Sequence, residues 1–131
     1  MTAKGVQLGS RADKFEPWYN AAGDCIEFQT RQVAIIGQRI DEYLTIFRSA
    51  IDNEPIGFQL KDIKALIYKF GLMGIACNAE IDEKNTLVSV TELLLRAYET
   101  APGTPFRRTG YTTAFKSSPT PKDEVPIPVS V

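Results

Sequence analysis

The 131-residue chain contains no histidine. That absence removes the commonest general base, proton shuttle and metal ligand, and with them any Ser/His/Asp or Cys/His triad within the chain. Cysteine is scarce as well. Cys25 and Cys77 are too few for a disulfide framework or a four-cysteine zinc site. Neither sign of charge dominates: 15 Lys+Arg stand against 16 Asp+Glu, for a net −1. Attachment to nucleic acid through overall charge is therefore not expected, although a local basic patch stays open. Long apolar runs are missing. Residues 1–10 have no apolar core of the signal-peptide kind, and the most apolar stretch, Ala65 to Ala79, is broken by Lys69 and two glycines. These absences predict a cytoplasmic protein with no membrane span. Gly-rich phosphate loops of the GxxxxGK[ST] or GxGxxG type do not occur either. No cofactor and no metal are implied, and the chain does not read as an enzyme.

What remains is an ordinary globular composition, 44% hydrophobic and 24% charged. It changes abruptly after Thr100. Six of the eight prolines (Pro102, Pro105, Pro119, Pro121, Pro126, Pro128) lie beyond that point. This part holds four bases (Arg107, Arg108, Lys116, Lys122) and two acids (Asp123, Glu124), a net of +2, which leaves −3 on the rest. The segment shows no helical or strand period and lacks the apolar surface to offset its ordering entropy. Three parts are expected: a flexible leader over 1–14, a body over 15–99, and an extended or disordered Pro-rich tail over 100–131.

Period-two alternation marks the strands. Ile26 and Phe28 share a face in Cys25–Phe28. Ile40, Leu44 and Ile46 share one in Arg39–Arg48, with Glu42 the exception. Ile56, Phe58 and Leu60 do so in the next strand. Asn20–Asp24 and Ala50–Pro55 supply turn residues. Short strands are also expected at Phe15–Tyr19 and Val33–Ile36. The period then changes. Asp62 reads as an N-cap before Ile63, Leu66, Ile67 and Phe70, with Gly71 at the end. Ser89-Val-Thr-Glu92 forms a capping box, with Val88 and Leu93 as a staple, ahead of Val90, Leu94, Ala97 and Tyr98. The expected fold is α+β: a small antiparallel meander with two short helices on one face, plus the tail.

Chemistry is sparse. Asp24 and Glu27, Asp41 and Glu42, and Asp52 and Glu54 read as solvated edge and turn acids. Asn78-Ala-Glu80-Ile-Asp82 spaces oxygens like the start of a calcium loop. Glu83 stands where glycine is required and Ser89 where the closing glutamate is required, so the stretch reads as a loop approaching a helix. Cys25 and Cys77 read as inert packing residues. The tail is the one unusual feature. Phe106, Arg107, Arg108, Tyr111 and Phe115 are the residue types of binding hot spots and of single-strand nucleic-acid grips. Beyond them, Ile127, Val129 and Val131 alternate with prolines that hold the chain extended for docking in a groove.

Tyr19-Asn-Ala-Ala-Gly-Asp24-Cys-Ile-Glu-Phe28 resembles the opening strand-turn-strand of the short bacterial proteins grouped as domain of unknown function 2283. Ile40-Asp41, Leu44–Phe47, the acidic turn Asp52–Glu54 and Ile56–Leu60 are similar to that family's second half. The resemblance covers Tyr19–Ile63. Pro55 and everything after Phe70 depart from the pattern. It implies a small antiparallel sheet and no established activity, and some relatives look like members of toxin–antitoxin-type pairs. The leading expectation is a non-enzymatic interaction or accessory protein whose tail docks on a protein partner or a second copy. The alternatives are an antitoxin-like or regulatory protein touching nucleic acid through Arg107, Arg108, Tyr111 and Phe115, and a carboxylate- or cysteine-based enzyme.

Overall fold

The computed structural model describes residues 16–71, 76–80, 85–117 and 124–128; for 76–80, 85 and 86 it describes the backbone. The first strands are β1 (Trp18–Asn20), β2 (Cys25–Gln29), β3 (Ile35–Arg39), β4 (Leu44–Ser49) and β5 (Pro55–Lys61). They form one antiparallel sheet in the order β1-β2-β5-β4-β3. Alternation sorts its two faces. Ile26, Phe28, Leu44, Ile46, Phe58 and Leu60 are all buried on one side. On the other, the register aligns Trp18, Glu27, Gln59, Thr45 and Arg39 across all five strands.

The stretch Arg39–Arg48 is divided between two strands by a turn. The Asp41 carboxylate accepts the backbone N–H groups of Tyr43 and Leu44, each at 2.9 Å, and so closes the β3–β4 hairpin. Glu42 broke the alternation because it lies in that turn. At Gly57 the chain has φ 156°, and a Cβ there would collide with the Phe28 carbonyl. Only glycine lets β5 approach β2 this closely.

The first helix, α1 (Ile63–Phe70), begins where expected but by another device. Asp62 has φ 57° and makes no side-chain cap. Asp24 does the work from the β1–β2 turn. Its carbonyl accepts Ile63 N–H at 3.3 Å, and its carboxylate accepts Lys64 N–H at 3.2 Å. An anion at this helix end is favourable. Gly71, at φ 86°, ends α1 with its N–H on the Ile67 carbonyl at 2.7 Å. The second helix, α2 (Val90–Tyr98), starts on the expected cap, since Ser89 Oγ accepts Glu92 N–H at 3.1 Å.

Two expectations are corrected. The stretch around Asn78 and Glu80 is strand, not loop: β6 (Ala76–Glu80) and β7 (Asn85–Ser89) pair antiparallel. The Pro-rich segment beyond Thr100 is not an extended tail. It supplies a third helix, α3 (Pro105–Ser117), and a strand, β8 (Glu124–Pro128), that completes a second sheet in the order β6-β7-β8. Val125 and Ile127 of β8 are buried, while Glu124, Pro126 and Pro128 face out. Prolines are tolerated there because an outer strand has no use for alternate N–H groups. Val88, Val125, Ile127, Leu66, Leu93, Leu94, Tyr111 and Ala114 join the apolar face of the first sheet in one core. Segments on both sides of Thr100 thus share one hydrophobic interior, and each fully buried Leu, Ile or Phe contributes about 1.5–3 kcal/mol.

Candidate functional site

Helix α3 is initiated by Thr104 and Pro105. Thr104 Oγ1 accepts Arg107 N–H at 3.2 Å, and proline suits the first helical position because its missing N–H would have had no partner. The buried residues of α3 are Arg107, Gly110, Tyr111 and Ala114. Their spacing is helical, yet an arginine and a glycine hold two of the four positions, so an apolar-residue count does not register it. At Gly110 a Cβ would come within 2.7 Å of Ile40, and its absence lets α3 lie directly on the β3–β4 turn.

Arg107 is an internal clamp. Its Nε donates to Asp41 Oδ2 at 3.0 Å. One terminal nitrogen donates to the carbonyls of Ala101 and Pro102, both at 2.8 Å. The other donates to the carbonyls of Ala97 and Tyr98, at 3.3 and 3.0 Å. All five guanidinium N–H groups therefore have acceptors. Two of those carbonyls belong to the last turn of α2, where a cation is favourable. The guanidinium also sits over the rings of Tyr98 and Tyr111, 5.0 and 5.4 Å from their centroids. Tyr111 Oη donates to the same Asp41 oxygen at 2.8 Å. Burial, then that hydrogen bond and the Asp41 charge, push its hydroxyl well above the usual tyrosine range.

The expected site residues are thus divided. Arg107, Tyr111 and Ile127 are buried, and Phe115 is half-buried at the edge of the core. Phe106 and Arg108 are exposed. Val129 and Val131 lie outside the described residues. The outward side of α3 carries Phe106, Arg108, Thr109, Thr112 and Lys116. It borders three shallow clefts that share Thr113. A cleft of about 310 Å³ lies between α3 and the β3–β4 hairpin, lined by Gln38, Ile40, Arg48, Phe106 and Thr109 among others. A second, of about 510 Å³, is bounded by Thr30, Pro55 and Lys116. The third, of about 250 Å³, lies among Arg108, Thr109, Thr112 and Lys116. None of the described lining residues is acidic.

Beside the first cleft runs β3, an outer strand of the sheet, exposed at every position except Gln38. Ile35 and Ile36 are 38% and 54% exposed, unusual for isoleucine in a strand. The sequence predicts an ordinary short strand at Val33–Ile36, whereas the strand runs Ile35–Arg39. Adjacency signals the exposure of Ile35, because one of two neighbouring apolar residues must face away from the core; Ile36 shares the core side with Gln38 and is open at the sheet's edge.

Cys25 lies on the opposite face of the sheet. Its thiol is 3.4 Å from Glu27 Oε2 and 3.8 Å from Gln59 Nε2, which also donates to Glu27 at 3.1 Å. Burial and then the Glu27 charge push the thiol up to about 12, so it stays protonated and weakly nucleophilic at neutral pH. Among the described residues no group of three or more acids and cysteines is placed to hold a metal ion. No described helix is long and apolar enough to cross a membrane. No family model, curated protein or solved structure matches the chain, and the likeness to domain of unknown function 2283 rests on the residues quoted for it.

Proposed function

We propose that this is a non-enzymatic interaction protein that docks on a larger protein partner, using the folded outer side of α3 in place of a free tail. The observation that carries this reading is the outward side of α3, with Phe106 53% exposed beside basic, hydroxyl-lined clefts. An exposed aromatic next to arginine and shape-defined clefts is hot-spot chemistry. The protonated Cys25 thiol and the lack of histidine weigh against nucleophilic or general-base catalysis. The reading that invokes nucleic acid through Arg107, Arg108, Tyr111 and Phe115 loses support, because Arg107 and Tyr111 are committed internally.

The test is affinity purification of the tagged full-length chain from its native cells, followed by reconstitution with the purified candidate partner. Light scattering should report a defined complex. Phe106→Ala and Arg108→Ala should each weaken it about tenfold, or ~1.4 kcal/mol, with thermal stability unchanged. A complex indifferent to both substitutions, or the absence of any stoichiometric partner, overturns the reading.

A further inference from the structure

We infer that β3 is an acceptor edge that takes an extended, acidic and apolar segment of a partner protein as a sixth strand, whose side chains on one face enter the cleft under α3. This rests on the protein-binding reading above and names its site and ligand chemistry.

Hydrogen-bond phase shows that the edge is open. Ala34 accepts from Ala50 N–H at 2.9 Å, and Ile40 donates to the Leu44 carbonyl at 2.8 Å. Antiparallel ladders alternate, so the even-numbered residues of β3 bond to β4, and Ile35, Gly37 and Arg39 turn their N–H and C=O groups outward. Among the described residues no strand pairs with them. Natural sheets blunt such edges with prolines, charges, short strands or cover. This protein uses three of those devices elsewhere. Outward prolines punctuate β8, and β1 is three residues long and lies against β8. On β3 the only charge is Arg39, and two exposed isoleucines, Ile35 and Ile36, open the strand.

The cleft then selects the occupant. Residues paired across strands share a face, which places Ile36 with Arg48 and Gln38 with Ile46. Side chains of an added strand that point to that side meet Ile36 on β3 itself and the cleft residues Gln38 and Arg48, with Phe106 lining the cleft from α3. Arg48 and, farther along α3, Arg108 and Lys116 supply positive charge, and α3 contains no acid. Charge complementarity therefore favours carboxylates and disfavours a second copy, which would bring the same basic helix toward its equal. The outward N–H and C=O groups of β3 match a polypeptide backbone, and one exposed aromatic gives no stacking row for single-stranded nucleic acid.

The probe is a short, labelled, end-capped peptide of alternating Glu and Val, titrated into the full-length protein and read by fluorescence anisotropy and amide NMR. Saturable binding is expected, with the largest shifts at Ile35, Gly37 and Arg39. Ile36→Lys and Gly37→Pro should each weaken binding at least about tenfold. N-methylation of alternate peptide nitrogens should do the same without altering the protein. Arg108→Glu with Lys116→Glu should weaken it and reduce its salt dependence. Equal affinity for a Lys–Val peptide, insensitivity to N-methylation, or tighter binding of a single-stranded oligonucleotide at these residues would overturn the inference. So would a dimer, detected by sedimentation, that Ile36→Lys dissociates, since it would give the edge to a second copy. If a reconstituted partner still binds Ile36→Lys while Phe106→Ala releases it, the β3 site fails and the protein-binding reading survives.

Discussion

Arg107 reaches back 66 residues to Asp41, Nε to Oδ2 3.0 Å, and this pair ties the C-terminal helix to the β3–β4 turn. The Arg107 side chain is 9% exposed and that of Asp41 15%. A shielded pair of this kind confers little net stability over an apolar replacement, yet breaking it strands the surviving charge. Arg107→Ala is expected to cost about 3–5 kcal/mol, measured by urea denaturation. Arg107→Lys should recover only part of this, because an ammonium cannot present five donors to Asp41 and four carbonyls. Arg108→Ala, one residue away and exposed, should stay within about 0.5 kcal/mol of the parent. Equal effects at both positions would contradict the clamp.

Truncation after Thr100 is expected to prevent cooperative folding. It deletes Tyr111, Ala114, Val125 and Ile127 from the core and leaves Asp41 without its cation. Circular dichroism and thermal melting check this. A truncated chain that melts cooperatively near the parent temperature would show that the segment is dispensable.

Substituting Gly110 tests the seating of α3 on the sheet. A methyl group would lie 2.7 Å from Ile40, so Gly110→Ala should cost about 1–3 kcal/mol despite alanine's better helix propensity. The double variant Gly110→Ala/Ile40→Val should recover part of the loss, read in the same denaturation assay.

The Cys25 thiol predicts alkaline sensitivity. Its folded value lies at about 12 against an ordinary 9.0. Below pH 9 both folded and unfolded chains keep the proton, and stability is unaffected. Above pH 9 the unfolded thiol ionises while the folded one does not, so stability falls from pH 9 toward 12. Tyr19, Tyr43 and Tyr111, also raised, add to the fall at higher pH. In a Cys77→Ser background, Cys25→Ala should flatten the slope just above pH 9, and Cys25 should react slowly with a maleimide at neutral pH. An unchanged slope or rapid labelling would contradict the burial of this thiol.

Much of the first sheet was legible because local grammar and tertiary outcome agree there. Ile26 and Phe28, then Phe58 and Leu60, alternate and are buried together, and Ser89 caps α2 as its spacing predicts. Asp62 shows the limit of such grammar. Its identity marks the start of α1, yet Asp24, from a different turn, binds the helix N-terminus. The candidate surface was legible in composition but not in direction. Phe106-Arg-Arg stood out as a cluster, whereas only the helix decides that Phe106 and Arg108 face out and Arg107 faces in.

By itself the sequence determined chemistry and local periods: no histidine for catalysis, alternating strands, capped helices, and a +2 segment beyond a −3 body. Tertiary structure decided whether that segment belongs to the core. Its inward positions include Arg107 and Gly110, whose worth is invisible to local pattern. Arginine becomes a core residue only when a distant carboxylate and a helix's last carbonyls meet it, and glycine only when a distant turn needs the space. Both conditions are long-range, and folding creates them.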